Sequence, residues 1–379
     1  MNIPKLRFKE FTDEWNIHKL KDLCTTCGGG TPSKSITEYW TGNIPWISSS
    51  DLESNSIFKI NISKFITTKA ISESATKIIP PNSILIVSRV GVGKVAINYN
   101  ELCTSQDFTN LINIKSNPIF LTYLLKIKME KQIQQTQGTS IKGITTNDIK
   151  NINCTLPNIK EQEKIATFLT TVDKKITNLE NTITSLENQK KGLLQQIFSQ
   201  KLRFKDKNGN NYPEWEKNKL KNLCTYKTSS LTTKDIDING NYQLFDANNA
   251  IGTVSSYISN KPYISIIKDG AGVGRIRLLK PYTNCVSTLG ILLNTDTTTI
   301  QYIYYLLQQV NFSIYIVGST IPHIYYKDYS SIILNIPCLE EQTKIADFLS
   351  AFDRKLDNQK AQLEHWKQIK KGLLQQMFV

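Results

Sequence analysis

Two glycine-rich segments come closest, in residue types and spacing, to loops that bind phosphate groups. Residues 91–95 (GVGKV) end like a phosphate loop, but such a loop needs glycine where Ser88 stands and serine or threonine where Val95 stands. Residues 270–274 (GAGVG) are followed by Arg275, where a dinucleotide-binding fingerprint needs its third glycine. The two segments therefore predict no nucleotide chemistry. Each one does place a cation beside backbone that can approach a phosphate closely.

The sequence also lacks the usual residues of nuclease, methyltransferase and metal sites. Asp-x-Lys occurs at Asp148, Asp173 and Asp353, and none of these tripeptides follows the Pro-Asp pair of a nuclease core. The acidic-Pro-Pro-aromatic tetrapeptide that DNA amino-methyltransferases use is absent. None of the three histidines recurs in the other half of the chain. We therefore predict a chain with no catalytic residue, no metal site and no bound cofactor.

Cysteine usage and the N-terminal residues indicate an intracellular protein. Cys24 and Cys27 form a C-x-x-C pair, but the repeated copy has Cys224 followed by Lys227 at the second position. A shared metal or redox role would not survive that change. The odd count of seven cysteines suits a reducing cytosol. Because there is no apolar signal region and no run of roughly 18 apolar residues, we expect a cytoplasmic chain that does not enter a membrane.

An internal repeat organises the whole chain. Residues 161–198 begin with EQEKIATFL and end with KKGLLQQIF, and residues 341–378 begin with EQTKIADFL and end with KKGLLQQMF, at a constant offset of 180 residues. The pentapeptide KLRFK occurs at residues 5–9 and again at residues 201–205. The chain is therefore two copies of one unit, in which a variable globular part precedes a long helix.

Each long helix carries a heptad pattern of apolar residues. Alternating spacings of four and three residues keep one apolar seam on one side of the helix, and that seam must be buried against a partner. The nearest partner is the other copy. Lys190, Lys370 and Gln359 interrupt the seam, and we expect these residues to set its register. The first seam contains Ile165, Leu169, Val172, Ile176, Leu179, Ile183, Leu186, Lys190, Leu193 and Ile197; the second contains Ile345, Leu349, Phe352, Leu356, Gln359, Leu363, Trp366, Lys370, Leu373 and Met377.

The repeat is cyclic, and this predicts the architecture. The KLRFK copy at the N-terminus is the segment that would follow the second helix if the chain ends were joined. The helices should therefore run antiparallel, with the globules at opposite ends of a rod of ~57 Å and a pseudo-two-fold axis between them. The fold class is α+β. We predict two mixed α/β domains at residues 1–160 and 201–340, and conserved coiled-coil helices at residues 161–200 and 341–379.

Net charge favours a nucleic-acid partner. The formal charge is +14, and the two helical segments account for only +2 of it, so +12 lies in the rest of the chain. A generally lysine-rich proteome is the alternative explanation of this excess. The predicted helical rod of ~57 Å is as long as ~17 base pairs of duplex DNA. Once the lengths of DNA covered by the two globules are subtracted, a spacer of roughly half a turn of the DNA helix remains between their sites.

The pattern of divergence suggests that the two globules read different bases. The helices match almost residue for residue, whereas residues 28–80 and 228–262 show few matches. Globules that held only phosphates would have no reason to diverge, because sequence information lies in the base edges. Drift in surface loops after duplication is the alternative.

Three features together resemble the DNA-specificity subunit of type I restriction-modification systems: residues 28–52 (GGGTPSKSITEYWTGNIPWISSSDL), the Pro-x-x-x-Glu-Gln-x-Lys-Ile-Ala-x-Phe-Leu start of each helix, and the KKGLLQQ ends. The resemblance covers the full chain. It implies two target-recognition domains, a chain that is not itself an enzyme, and an asymmetric bipartite double-stranded DNA site. Two methyltransferase subunits that carry S-adenosylmethionine, and translocating restriction subunits that use ATP and Mg²⁺, would join it. Adenine would be methylated in each half-site, and unmodified DNA would be restricted in host defence.

Candidate contact residues follow from these features. We predict a hairpin around each glycine-rich segment, formed by residues 83–87 with 94–97 and by residues 263–267 with 275–279. We expect these glycine hairpins, the small polar loops at residues 138–142 and 318–321, and the divergent segments to touch DNA, with Arg89 or Arg275 able to take a guanine edge. Plain turns with solvated cations are the alternative for the hairpins, and helix capping is the alternative for the polar loops. Phe168 and Phe348 lie beside the seam and are expected to dock the methyltransferase subunits, unless they widen the coiled-coil core. The DNA-contact candidates are Trp46, Ser48, Ser50, Arg89, Lys94, Thr139, Ser140, Lys142, Asn248, Asn249, Lys268, Arg275, Arg277, Ser319 and Thr320.

A rival class uses the same sequence features. The chain would then be a structural DNA-bridging protein whose helices pair between molecules and whose globules bind DNA without sequence preference. The two readings differ in whether the helices pair within one chain.

Overall fold

The structure is a computed structural model that describes residues 3–135 and 143–379. It divides into two compact units, one made of residues 1–180 and 362–379 and the other of residues 181–361. Each unit contains one globule, the first half of one long helix and the second half of the other. The boundary falls within the helices because each globule shares a core with both of them.

The first unit is a mixed α/β globule on two helix halves. Among the described residues, a four-stranded antiparallel sheet has the strand order β2-β9-β6-β7, and a second sheet has the order β4-β3-β8-β5 with β3 and β8 parallel. Its elements are β1 Asn16–Lys19, α1 Leu20–Leu23, β2 Thr25–Gly28, β3 Ile44–Ile47, β4 Lys64–Ile66, α2 Thr68–Ser72, β5 Ile78–Ile79, β6 Ile84–Val87, β7 Val95–Ile97, β8 Leu102–Thr104, β9 Phe108–Ile112, α3 Pro118–Gln135, α4 Thr146–Lys150, β10 Asn153–Leu156 and the start of α5 Ile159–Phe198.

The second unit repeats this plan. Its larger sheet has the order β12-β18-β15-β16, and β13 pairs in parallel with β17 in the smaller sheet β14-β13-β17. Its elements are β11 Glu216–Lys219, α6 Leu220–Leu223, β12 Cys224–Thr228, β13 Tyr242–Phe245, β14 Ala250–Val254, β15 Tyr263–Ile267, β16 Ile276–Leu279, β17 Thr283–Cys285, β18 Leu289–Asn294, α7 Ile300–Leu307, α8 Tyr326–Tyr329, β19 Ile333–Ile336 and α9 Leu339–Met377. The predicted fold class, including the repeat, is confirmed.

The central strand β6 contributes to two of the hydrophobic cores of the first globule. Successive side chains of a strand lie on opposite faces. Ile84 and Ile86 belong to the core that also contains α3 and the helix ends, while Leu85 and Val87 belong to the core between the two sheets. All four are fully buried. This double burial accounts for the unbroken apolar run of β6, which predicted a hairpin with β7, and that hairpin is present.

The long helices α5 and α9 pair antiparallel within each unit, and both belong to the same chain. Residue numbers rise along one helix as they fall along the other. The expected antiparallel arrangement, with both helices paired within one chain, is confirmed. The ion pairs that show the direction are Asp173–Lys370 and Glu180–Lys367 in the first unit, and Glu187–Lys360 and Lys190–Asp353 in the second.

The apolar seam follows the predicted positions along most of α5. The seven positions from Ile165 to Leu186 are all buried. Near the end of the helix the prediction fails, because Leu193 is half-exposed and the neighbouring Leu194 is buried instead. Leu194 and Ile197 belong to the core of the second globule, so this end of α5 is oriented by the globule as well as by α9.

The two KLRFK segments occupy equivalent places, as the cyclic repeat predicts. The backbone N–H of Leu202 donates to the carbonyl oxygen of Gln196 near the end of α5, at 3.0 Å. The N–H of Leu6 donates to the carbonyl oxygen of Gln376 near the end of α9, at 2.9 Å. The N-terminal segment therefore follows α9 in space in the same way that residues 201–205 follow α5 along the chain.

A buried arginine–glutamate pair fixes the start of each long helix. Arg7 donates through Nε and Nη2 to the two carboxylate oxygens of Glu161, both at 2.8 Å. Arg203 does the same to Glu341, at 3.3 and 2.9 Å. Both glutamate side chains are fully buried, and the indole Nε1 of Trp215 also donates to Glu341. The repeated arginine is thus a bidentate partner of a carboxylate that has no access to water.

Replacing Arg203 with methionine should destabilise the second unit. The substitution leaves Glu341 buried without its cation, which typically costs about 3 kcal/mol. Urea unfolding followed by circular dichroism would measure the loss. The control is Glu214→Gln, because Glu214 bonds the same arginine but is 91% exposed and its loss should cost no more than about 0.5 kcal/mol. Equal effects of the two substitutions would contradict the assigned role of the buried pair.

Candidate nucleic-acid interface

Each globule carries a glycine loop between the two strands of its central hairpin. The first glycine loop is residues 88–94, between β6 and β7, and the second is residues 268–275, between β15 and β16. Gly93 and Gly274 adopt φ values of +94° and +86°, a region that side chains with a Cβ rarely enter. In both loops this tight backbone turn brings the neighbouring cation close to the adjoining segments of the globule.

A second segment packs against each glycine loop at equivalent positions. The N–H of Ile144 donates to the carbonyl oxygen of Ser88 at 2.8 Å, and the N–H of Ile324 donates to that of Lys268 at 2.9 Å. The candidates Ser319 and Thr320 are exposed in the segment that leads to Ile324. Their counterparts in the first unit, Thr139, Ser140 and Lys142, lie outside the described residues. The second unit thus brings together two loops that the sequence separates by about 50 residues.

Arg89 is the most accessible cation of the first glycine loop. Its side chain is exposed, and it makes no hydrogen bond or ion pair with the part of the chain that the structure describes. Val90 beside it is 69% exposed. This arrangement leaves the guanidinium open to solvent, and contact of Arg89 with a phosphate or a base edge stays a prediction.

Lys94 holds a neighbouring loop and does not present a free cation. Its Nζ donates to the carbonyl oxygens of Ser49 and Leu52, at 3.0 and 2.8 Å. We call residues 48–52 the serine loop; it follows β3. Within it, Asp51 accepts hydrogen bonds from the backbone N–H and the hydroxyl of Ser48. Ser50 is exposed and lies 2.9 Å from Ser48, oxygen to oxygen. Lys94 therefore positions the candidate serines.

Trp46 forms the floor of a cleft beside the serine loop. The residue is 4% exposed, its indole Nε1 donates to the carbonyl oxygen of Gly30, and its ring packs edge to face on Trp40 at 5.1 Å. The ammonium group of Lys64 lies 5.5 Å from the ring centre. The cleft holds about 580 Å³ and is lined further by hydroxyl and amide groups. A direct base contact by the buried Trp46 ring would have to come through this cleft.

The second globule repeats the arrangement with different residues. We call residues 246–249 the asparagine loop; it follows β13, as the serine loop follows β3. Arg275 donates through Nη2 to the carbonyl oxygen of Ala247 and to Oδ1 of Asn248, at 2.6 and 2.7 Å. Arg277 also donates to the carbonyl oxygens of Ala247 and Asn248. The structure thus brings Arg275 and Arg277 to the loop that contains Asn248 and Asn249, a contact that the sequence alone did not predict.

The asparagine loop is itself an ordered turn. The carboxylate of Asp246 accepts the backbone N–H groups of Asn248 and Asn249, at 2.7 and 2.6 Å. The Asn249 N–H lowers the pKa of Asp246 from its ordinary value, and the positive charges of Arg277 and Arg275 add to this effect. The carboxylate is therefore ionised when it accepts these bonds. Asn249 is exposed to solvent.

The remaining cation of the second glycine loop is already paired. Lys268 donates to the carboxylate of Asp269 at 2.8 Å and is half-exposed. Lys268 is accordingly a weaker candidate for phosphate contact than Arg89. Sequence reasoning missed the anchoring roles of Lys94 and Arg275, because the loops that these cations hold lie far from them along the chain.

Metal and thiol chemistry find no support in the geometry. Among residues 3–135 and 143–379, no three His, Cys, Asp or Glu side chains are grouped so as to hold a metal ion. Burial raises the pKa of Cys24 to about 11, so this half of the C-x-x-C pair is a neutral thiol at physiological pH.

Within the same described ranges, no helix has the length and apolar character to cross a membrane.

Comparison with known proteins identifies the family. Residues 12–188 and 212–365 match the family described as the type I restriction modification DNA specificity domain, one match in each half of the chain. This chain belongs to that family. The two matched ranges include both glycine loops, the serine loop and the asparagine loop, so the candidate interface lies within the two matched specificity domains.

Two relatives from Methanocaldococcus jannaschii are similar to this specificity chain. The MjaIX specificity subunit is 39% identical over 173 residues, a match that covers 44% of this chain and 39% of that protein. The MjaVIII specificity subunit is 24% identical over 417 residues and covers 98% of this chain and 94% of that protein.

Solved structures share the fold over the whole chain. The S subunit of a type I restriction-modification system from M. genitalium aligns with a TM-score of 0.70 over 100% of this chain and 99% of that one, at 19% identity. A chain from a study of assembly and conformational transition of the type I system aligns with a TM-score of 0.56, over 97% and 98%, at 16% identity. At these identities the comparison establishes the fold.

Replacing Lys94 with methionine should loosen the serine loop. The change removes the donor to two carbonyl oxygens and should lower the free energy of unfolding by about 1 kcal/mol. Thermal unfolding would measure this loss, and hydrogen exchange of residues 48–52 would show where it occurs. Lys34→Met is the control, because Lys34 is exposed on the same globule. If Lys94→Met leaves the stability and the exchange of the loop unchanged, Lys94 does not anchor it.

Proposed function

We propose that each specificity domain of this chain reads one half of an asymmetric bipartite site in double-stranded DNA. The observation that carries the proposal is the equivalent placement of the serine loop and the asparagine loop. Each follows a strand that pairs in parallel with another strand, β3 with β8 and β13 with β17, and each is anchored by a cation from the glycine loop. The anchors are Lys94 and Arg275. The loops themselves differ, with serines in one and asparagines in the other, as expected if they recognise different bases.

The chemistry of the two loops suits base recognition of different kinds. Serine hydroxyls donate and accept, so the serine loop can bond several base edges, and Arg89 beside it can bond a guanine edge with two hydrogen bonds. The exposed amide of Asn249 matches the donor and acceptor pair of adenine. The +12 charge outside the helices supplies the attraction to phosphates that both half-sites need.

In this proposal the helices α5 and α9 set the length of the non-specific spacer, and the chemistry belongs to partner subunits. Two methyltransferase subunits that bind S-adenosylmethionine would methylate adenine in each half-site, and restriction subunits that use ATP and Mg²⁺ would act on unmodified DNA. The complex would work in the cytoplasm. The specificity chain supplies recognition and no catalytic group.

The phenylalanines proposed for docking the methyltransferase subunits also hold the KLRFK segments. The ring of Phe168 packs edge to face on Phe8 at 5.8 Å, and Phe168 remains 37% exposed. The ring of Phe348 lies between Phe204 and Phe352, at 5.5 Å from each. Phe168 therefore has the larger surface left for a partner, and we propose that this part of α5 receives a methyltransferase subunit.

The site-reading proposal is tested by the adenine methylation pattern of the host genome. A strain with this gene should methylate a bipartite motif with a fixed gap, and a strain without it should lose that motif. Arg89→Ala should alter the first half of the motif only, and Asn249→Ala the second half only, at about 1–3 kcal/mol per lost bidentate contact. A motif that does not depend on the gene, or variants that weaken both halves equally, would contradict the proposal.

The docking proposal is tested by a charge on the exposed part of α5. Phe168→Glu should abolish co-purification with the methyltransferase subunit, because a carboxylate at a desolvated contact lacks a partner. Phe8→Ala is the matched control, since it removes the internal partner of Phe168 without charging the surface. Assembly that survives Phe168→Glu, or that is lost equally in both variants, would count against docking at this face.

A further inference from the structure

A lysine interrupts the apolar seam of α9 and meets two polar partners from other elements. The ammonium group of Lys370 lies 2.5 Å from Oδ1 of Asp173, and the hydroxyl of Tyr123 donates to Oδ2 of the same carboxylate at 2.5 Å. Lys370 and Asp173 are each only 8% exposed. These three residues form what we call the first polar node, with one member on α3, one on α5 and one on α9.

The second unit contains the same node at repeat-equivalent helix positions. Lys190 on α5 bonds Oδ1 of Asp353 on α9, and the hydroxyl of Tyr305 on α7 donates to Oδ2 of that aspartate at 2.6 Å. We call these residues the second polar node. It is more open than the first, since the side chains of Lys190 and Asp353 are 15% and 31% exposed. Burial raises the pKa of both tyrosines, so their hydroxyls stay protonated and act as donors.

Stability alone does not account for these nodes. Removing two charges from water costs about as much as their attraction returns, and a well-packed apolar group in the same place is often neutral or stabilising. Polar residues in an otherwise apolar seam are best known for fixing the register of paired helices. The remaining seam is rich in leucine and isoleucine, side chains that pack acceptably against one another in more than one register.

A change in register has a different consequence at the node. If α9 moved along α5, Lys370 would face apolar seam residues such as Val172 or Ile176, and Asp173 would stay buried without its cation. The tyrosine adds a third constraint, because Tyr123 belongs to the globule and not to the helix pair. Each node therefore penalises movement of one helix along the other and movement of the globule on both.

We propose that the two polar nodes fix the register of α5 against α9 and the seating of each globule on the pair, and so determine how strictly the complex discriminates between spacer lengths. This inference rests on the proposed reading of a bipartite site. In it, Asp173, Asp353 and their partners are positioning residues that touch neither DNA nor the reacting groups. The more deeply buried first node contributes more of the discrimination than the second.

The test replaces each node with apolar groups of similar size in the complete complex with methyltransferase subunits. The first variant is Tyr123→Phe/Asp173→Leu/Lys370→Met, and the second is Tyr305→Phe/Asp353→Leu/Lys190→Met. Affinity is measured on duplexes that carry both half-sites with the natural spacer and with spacers one base pair shorter or longer. The wild-type complex should prefer the natural spacer by about tenfold or more, because one base pair both shifts and rotates a half-site.

The node variants should bind the natural site within about threefold of wild type but should lose most of the preference, more so for the first node. The control is Lys360→Met/Glu187→Gln, which removes an exposed ion pair from the same helices and should leave the preference unchanged. Tyr123→Phe and Tyr305→Phe serve if a triple variant does not fold, and each should also widen the accepted spacer range.

The possible results separate this inference from the function on which it rests. A wild-type complex without any spacer preference would contradict the bipartite function and, with it, the inference. A selective wild type whose node variants keep the full preference would overturn the inference alone. Weaker binding by equal factors on all three duplexes, together with lower thermal stability, would also overturn it, because the nodes would then be only structural.

Discussion

The pairing of two heptad helices from one chain is the interaction on which both globules depend. Neither globule completes its core alone. The core of the first includes Ile165 and Leu169 from the start of α5 and Met377 from the end of α9. The core of the second includes the opposite halves of the same helices, with Leu194 and Leu349 among its members. The helix pair is therefore part of each domain's hydrophobic interior and not a linker between finished domains.

Because both cores depend on the helix pair, we call the pair and the residues that seat a globule on it the frame. The frame is the part of each copy that must stay alike. The helix starts, the buried arginine–glutamate pairs and the polar nodes occur twice because each copy supports a globule in the same way. The loops of the candidate interface differ in sequence between the two copies. The serine loop and the asparagine loop occupy the same place after β3 and β13, and a cation from the glycine hairpin holds each one. Surface loops held in this way can vary without changing the helices and cores that support them.

Sequence reasoning found the frame because its signals are local and repeated. The heptad pattern, each KLRFK copy and each glycine hairpin is a short segment that can be recognised by itself. The heptads and the KLRFK copies predicted the antiparallel helices, and the hairpins predicted the strands β6, β7, β15 and β16. The interface was predicted less completely. Lys94 was expected at a phosphate. In the structure, β3 pairs in parallel with β8, and the serine loop that follows β3 lies against Lys94. Pairing between strands so far apart in the chain cannot be recognised from the sequence of either strand.

The polar nodes were also predicted only in part, with their lysines found from the sequence and their partners missed. The sequence shows that Lys190 and Lys370 break the seam at equivalent positions, and it therefore suggests a role in register. It does not show their partners, since Tyr123 and Tyr305 differ in position by two residues relative to the repeat and lie on globule helices. Only the packing of each globule on the helices brings the tyrosine to the aspartate.

In the proposed function, two unlike specificity domains on one helix pair recognise the two halves of a bipartite DNA site. The most direct measurement is a footprint at single-nucleotide resolution of the purified complex, with methyltransferase subunits, on a DNA fragment that contains a methylated genomic motif. Bipartite recognition predicts two short stretches in which the bases are protected, separated by a gap of constant length in which only the backbone is shielded. Continuous protection of uniform strength along the fragment, unchanged when the motif is scrambled, would contradict it.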